Sequence, residues 1–259
     1  MLNKFLTKNF IPASSKTSIK MKMVVDDEMA LSEHIEEFSQ RLVFCLIFLL
    51  FATLICFADV KEIVRIFQAP AIGVKFLQFA PGEYFFASVK IAVFCGVLIS
   101  SPIILYQLLL YLIPGLTKNE RDIVLPVSLG SGILFVIGLI FSYFFLVPAA
   151  LRFFISYGSE VVEPFWSFDQ YFEFILVLFY STGLAFQIPI LQILLGLLNI
   201  VSPQQMLGAW RYIILVSTVL GAILTPSTDP LTQLLLSLAI LVLYFSGLGI
   251  LFLIKNSFK

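Results

Sequence analysis

Charge is scarce in this chain. Only 12% of its 259 residues are Asp, Glu, Lys or Arg, the sixteen basic residues balance the sixteen acidic ones, and His34 is the single histidine. The basic residues are spread thinly rather than gathered in a stripe, which excludes a nucleic-acid surface and leaves no nucleic-acid partner to expect. Cysteine is equally sparse, at Cys45, Cys56 and Cys95. Cys45 and Cys56 fall on one predicted helix roughly 16 Å apart, too far to bridge, and all three read as small buried hydrophobes. No CxxC or Cys/His spacing supports a metal, and no cofactor motif is present. The chain also lacks GxSG, GxGD and HExxH, so nothing in it supplies a nucleophile with its base, paired aspartates or a catalytic metal. An enzyme is not expected, and the lone His34 reads as solvated or packed.

What is abundant is apolar surface. Hydrophobic residues make up 60% of the chain, phenylalanine alone occurs 28 times, and the mean hydropathy is +1.03. These values belong to polytopic membrane proteins. The phenylalanine bias, with the usage of Lys, Ile and Asn, hints at an AT-rich genome such as an organelle's.

Residues 1–28 read as a mobile N-terminal tail: five lysines and several serines precede Asp26, without the apolar core of a secretory signal. Met21, Met23 and Met29 are candidate later starts. A membrane domain then covers 29–259. A short helix is expected from near Met29, with Asp26 and Asp27 suited to its amino end, and six apolar stretches follow at 42–58, 89–113, 123–147, 174–200, 212–224 and 231–254. Each is predicted to be a helix, since unpaired backbone groups are too costly in lipid. The fifth rises only about 20 Å against a hydrocarbon core of about 30 Å, so its flanks, its protein neighbours or local bilayer thinning must help it.

Six spans put both termini on one side. That side would hold Lys4, Lys8, Lys16, Lys20, Lys22, Arg41, Lys118, Arg121, Arg211, Lys255 and Lys259, and the other Lys61, Arg65, Lys75, Lys90 and Arg152. Eleven against five favours the cytoplasm-like side for the termini. The opposite side receives two long connections, 59–88 and 148–173, rich in aromatics and proline and expected to fold back as caps.

Polar groups inside the spans are few. Lys90, Asp169, Glu173 and Arg211 lie at span ends, which argues against a self-contained proton-coupled carrier. In LAFQIPILQ, Gln187 stands two residues before Pro189, which frees a carbonyl near Ala185. Gln187 therefore either repairs its own kinked helix or bonds a neighbouring one, or it faces a groove and meets a polar group on a partner helix.

Several stretches resemble one family when taken together and in order: HIEEFSQRL, FLQFAPGEYFFASVK, SPIILYQLLLYLIPGLTKNERD, LAFQIPI, SPQQMLGAWRY and LTPSTDPLTQ. They are similar to TatC, the multispan core subunit of the twin-arginine protein translocase, and the wording of APGEYFF and LTPSTDPLTQ is similar to its cyanobacterial and plastid branch. The resemblance implies an all-α integral membrane protein with six transmembrane helices in a cupped, glove-like arrangement, and both termini on the cytoplasmic or stromal side. It also implies movement of folded passengers across an energised membrane using the proton gradient, after recognition of a signal peptide with two adjacent arginines. Implied partners are those signal peptides, single-span TatA-type and TatB-type subunits, membrane lipid and further copies in a multimeric complex. The implied location is the plastid thylakoid membrane, with a cyanobacterial membrane as the alternative.

By motif position, Glu37 and Glu120 correspond to the family's acidic signal-contacting residues, and Tyr111 to an aromatic position of the same loop. A carboxylate accepts the planar donor fork of a guanidinium in bidentate fashion, so acids at the membrane surface can capture an arginine pair. Two local roles compete with this one. Glu37 and Arg41 are spaced to pair along a helix, and Thr117 to Glu120 spells a capping box. The chain departs from the family at Ser39, where relatives commonly carry Arg, and at Gln187, where members outside the photosynthetic branch often carry Glu. Asp229 matches an acidic family position between spans five and six, and it also suits the cap of span six. A secondary transporter for a small solute and a structural membrane scaffold are the alternatives from other classes.

Overall fold

The computed structural model describes residues 31–71, 73–112, 118–158, 165–225 and 229–257, with backbone alone at 31–34, 112, 118–125, 158 and 257. The tail over 1–28 lies outside the described residues. Two units are distinguished, Met1–Gln40 and Arg41–Lys259. In the first, the described residues form the opening turns of α1 (Leu31–Ala58).

The second unit continues α1 and adds α2 (Val60–Gln68), β1 (Lys75–Leu77), α3 (Glu83–Leu112), α4 (Lys118–Phe141), a π-helical turn (Ser142–Leu146), α5 (Val147–Gly158), β2 (Phe165–Ser167), α6 (Phe168–Ala185), α7 (Ile188–Leu197), α8 (Pro203–Gly208), α9 (Trp210–Leu224) and α10 (Pro230–Ser257). Five helical stretches are long and apolar enough to cross a bilayer: Ile35–Ala58, Glu83–Tyr111, Pro126–Tyr157, Phe168–Leu197 and Pro230–Asn256. The sixth, α9, has 15 residues and rises about 22 Å. At its start the Arg211 guanidinium lies 5.4 Å from the centre of the Trp210 ring, a pair suited to anchoring a short span at the interface. Among the described residues, apart from one short ribbon, the protein is therefore an all-α integral membrane protein with five spanning helical stretches and one shorter apolar helix.

The first and second spans begin earlier than predicted, at Ile35 and Glu83, and the third and fourth differ in build. The third does not stop at Val147. Pro148 has no N–H to donate, yet the chain passes through the wide turn at Ser142–Leu146 and continues as α5 to Gly158. The fourth is two helices, α6 and α7, because Pro189 sits in the first turn of the second. Between them the Phe186 N–H donates to the Thr182 carbonyl and the Gln187 N–H to the Leu184 carbonyl, which closes α6 with a tightened last turn.

The two long connections do fold back and meet. β1 pairs with β2 in parallel, Lys75 opposite Phe165 and Leu77 opposite Ser167. Glu83, at the start of α3, ties the same region together. Its carboxylate accepts from the Phe79 and Ala80 N–H groups at 2.6 and 3.1 Å, and from the Ser167 hydroxyl at 3.0 Å. The Tyr171 hydroxyl donates to the Phe67 carbonyl at 2.7 Å, and Phe76 packs on Tyr171 with ring centres 4.7 Å apart. Lys90 bonds both Asp169 oxygens, at 2.9 and 3.0 Å, which joins α3 to α6 about two turns along α3 from Glu83.

Helices in lipid gain little from hydrophobic burial and associate through close packing of small residues. Gly96 of α3 meets Thr53 of α1, Gly221 of α9 meets Ser237 of α10, and Gly196 of α7 receives Leu251 of α10. The α7–α10 pair is further closed by Lys255, whose ammonium donates to the Gly196 carbonyl at 3.3 Å and to Asn199 Oδ1 at 3.0 Å. A cation at the carboxyl end of α7 also complements its dipole.

Candidate functional site

Glu37 is half-buried on α1, within the smaller unit. Tyr111 is half-buried in the last turn of α3, and Glu120 belongs to the first turn of α4. Tyr111 and Glu120 therefore flank one short connection, 113–117, at the end of an antiparallel helix pair. The Glu120 side chain and Thr117 lie outside the described residues, as does any capping box between them. Glu37 and Tyr111 each have interaction partners.

Sequence reading missed how the neighbourhood of this end is held. The Arg41 guanidinium, where α1 meets the larger unit, donates to Gln107 Oε1 of α3 at 2.8 Å. That bond ties the start of the larger unit's part of α1 to α3. Only the amide at Gln107, inside an otherwise apolar run, could have signalled it.

Gln187 lies at the break between α6 and α7 and is 6% exposed. Its Oε1 accepts from the Ser131 hydroxyl of α4 at 2.9 Å, and its Nε2 donates to the Ser131 carbonyl at 3.2 Å. Of the roles open in the sequence, bonding a neighbouring helix is the one this geometry displays. The approach is close because glycines and phenylalanines interlock around it: Gly183 faces the Phe135 ring and Gly138 faces the Phe186 ring. The small-residue run SLGSG at Ser128–Gly132 is the sequence sign of such a contact.

Breaking this pair should have unequal effects. Ser131→Ala leaves a buried amide oxygen without its donor and is expected to destabilise by about 1–3 kcal/mol. Gln187→Leu removes both polar atoms and lets the serine hydroxyl turn to its own helix, so its cost should be smaller. Unfolding midpoints of the two variants and their double in detergent would test this, with the double expected to fall short of the sum.

Asp229 is fully buried. It caps α10: the Thr232 N–H donates to Oδ2 at 2.8 Å and the Thr232 hydroxyl to Oδ1. Among the described residues no group of three or more His, Cys, Asp or Glu could hold a metal.

Five long apolar helical stretches and a shorter apolar helix define a polytopic membrane protein. Comparison with known proteins makes that class specific. Residues 33–238 match the family model described as Sec-independent protein translocase protein (TatC), and the chain belongs to the TatC family, a family of protein-translocase components. It is 62% identical over 243 residues to an uncharacterized tatC-like protein, ycf43, of Trieres chinensis, a match covering 94% of this chain and 92% of that one. It is 56% identical over 224 residues to the Sec-independent protein translocase protein TatC of Synechocystis sp., covering 86% and 88%. Against the chloroplastic protein of that name from Pisum sativum the identity is 51% over 224 residues, covering 86% and 64%. A solved structure titled as the twin-arginine translocase receptor TatC superposes with a TM-score of 0.73 at 32% identity, covering 85% of this chain and 98% of that one.

Proposed function

We propose that this protein is the signal-peptide receptor and core subunit of a twin-arginine translocase in the plastid thylakoid membrane, with both termini on the stromal side. The observation that carries the reading is the placement of Tyr111 and Glu120 on either side of one short helix connection, in a chain that keeps the TatC motif order. Glu37 and Glu120 each take one arginine of the signal, Tyr111 packs beside them, and the apolar part of the signal enters the membrane along the spans. Arginine rather than lysine is selected because only the guanidinium satisfies two carboxylate oxygens at once. TatA-type and TatB-type subunits then assemble on the occupied receptor and passage draws on the proton gradient.

Gln187 takes part in this through its remaining capacity. An amide offers two hydrogens and two acceptor sites, and Ser131 uses one of each. A polar side chain on a partner helix bonds the others, and Asp229 shapes the loop on the opposite face.

The test is crosslinking of membrane-embedded protein to a signal peptide bearing Arg-Arg or Lys-Lys. The native chain should prefer Arg-Arg, and Glu37→Ala and Glu120→Ala should each weaken capture roughly 10- to 100-fold, the value of a hydrogen bond to a charged group. Equal capture of both peptides, or undiminished capture by both variants, would refute the receptor assignment.

A further inference from the structure

Two glycines near the carboxyl end of α10 stand in different surroundings. Gly247 marks the crossing with α7, where a Cβ would run into Gln192 Oε1 and the Cα of Pro189. Gly249 has no such reason to be glycine, since nothing lies within 4 Å of its Cβ position. A glycine inside a helix weakens it relative to alanine, and at Gly249 that weakening serves no contact. Ser246 adds to it by turning its hydroxyl back to the Leu243 carbonyl at 2.8 Å. Paired Gly and Ser, and serines bonded back along their own helix, are where helices bend.

Beside this weak point α10 covers a polar defect. Gln192 of α7 is buried, and among the described residues neither its amide oxygen nor its amide nitrogen has a hydrogen-bond partner. The Tyr244 hydroxyl, one turn before Leu248 on α10, gives its proton to the Met206 carbonyl at 2.9 Å and has none left for the Gln192 oxygen. Both amide atoms are sealed by the packing around them. An amide left without a partner in a dry site is costly, and parting of the two helices would relieve it.

Beyond the bend the hold on α7 is light. Leu248 and Leu251 are buried, Leu251 against Gly196, but a side chain that leaves a helix seam for lipid gives up packing and no hydrophobic burial. Lys255 closes the end through the Gly196 carbonyl and Asn199 Oδ1, bonds that water at the interface can replace. Gln192 lies one turn before Gly196, about 6 Å along α7 from that interfacial end. We propose that α10 bends at Ser246–Gly249 so that its last turns, 250–256, swing off α7 and admit water from the Lys255 end to the Gln192 amide. The movement involves none of the residues assigned to the signal peptide and stands apart from the receptor reading.

The experiment uses full-length protein in nanodiscs, with Cys45, Cys56 and Cys95 replaced by alanine, and follows the reaction of Leu251→Cys with a charged methanethiosulfonate reagent. Leu251 and Leu236 are both fully buried on α10, on opposite sides of the bend, so Leu251→Cys should react at least tenfold faster than Leu236→Cys. Gly249→Ala, which stiffens the helix without a clash, should slow the reaction at position 251 at least tenfold, and Lys255→Gln should quicken it severalfold. Gln192→Leu removes the unpaired amide and should raise the melting temperature of the otherwise native chain. That last measurement decides the matter by itself should Leu251→Cys fail to fold. Equal rates at positions 251 and 236, a rate indifferent to Gly249→Ala, or a Gln192→Leu protein melting at or below the native temperature would each overturn the proposal.

Discussion

Gly247→Leu is expected to prevent α10 from docking on α7, giving a protein that unfolds or is proteolysed well below the native melting temperature. A Cβ at this position would stand 2.7 Å from the Cα of Pro189 and 2.9 Å from its Cβ. Real Cβ atoms do not approach backbone that closely, and Pro189 cannot retreat without moving the first turn of α7. Overpacking of this kind costs about 1–3 kcal/mol for small additions and more where backbone must shift, so Gly247→Ala should already be destabilising. The same Cβ would press on the Gln192 side chain. Gln192 is 5% exposed, and among the described residues its amide makes no hydrogen bond. Gly249 supplies the control. It lies two residues further along α10 with nothing within 4 Å of its own Cβ position, and Gly249→Leu should leave the melting temperature near native. Similar losses at both positions would show that α7 and α10 are not in the contact described.

Asp229→Ala should be the most damaging single change outside the helix seams, lowering stability by about 2–3 kcal/mol. Loss of an amino-terminal cap costs about 0.5–2 kcal/mol, and here it also strands the Thr232 hydroxyl and N–H in a buried site, which adds to the penalty. Asn ranks with Asp as a cap, and its amide can donate to the threonine hydroxyl while its oxygen accepts the N–H. Asp229→Asn should therefore retain most of the stability. If Asn melts like Ala, the charge itself is needed for folding. If Asn folds normally and translocation still fails, the carboxylate has a second role on that face.

The six spans were legible because lipid tolerates so few backbone arrangements that apolar length alone defines a crossing. The short α9 could be read for the same reason: Tyr212 and Leu224 bracket too few residues to span a full hydrocarbon core. Two features were not legible. The passage through Ser142–Leu146 into α5 leaves the apolar pattern uninterrupted, so Pro148 looked like a terminus when a wide turn lets the helix pass it. The break at Phe186 and Gln187 could be placed only near Pro189. At the candidate site, the family motifs pointed to Glu37, Tyr111 and Glu120, but they gave no hint of what holds their surroundings. Ser131 and Gln107 act through partners 56 and 66 residues away in sequence, and nothing local in a span identifies such a pair. Asp229 lay between: its place beside Pro230 allowed the cap, and the fold supplied the burial that makes the cap matter.

The β1–β2 ribbon also constrains the order in which the protein can be made. Lys75–Leu77 emerges with the connection after the first span, whereas its partner Phe165–Ser167 appears only after the third. A parallel pair cannot be closed by a local turn. Three spans must therefore enter the membrane while β1 has no strand beside it, and the same delay applies to Glu83, whose Ser167 donor arrives with β2. The first half of this protein completes its fold only when the second half reaches it, and a nascent chain stalled before residue 165 would present an unfinished strand edge.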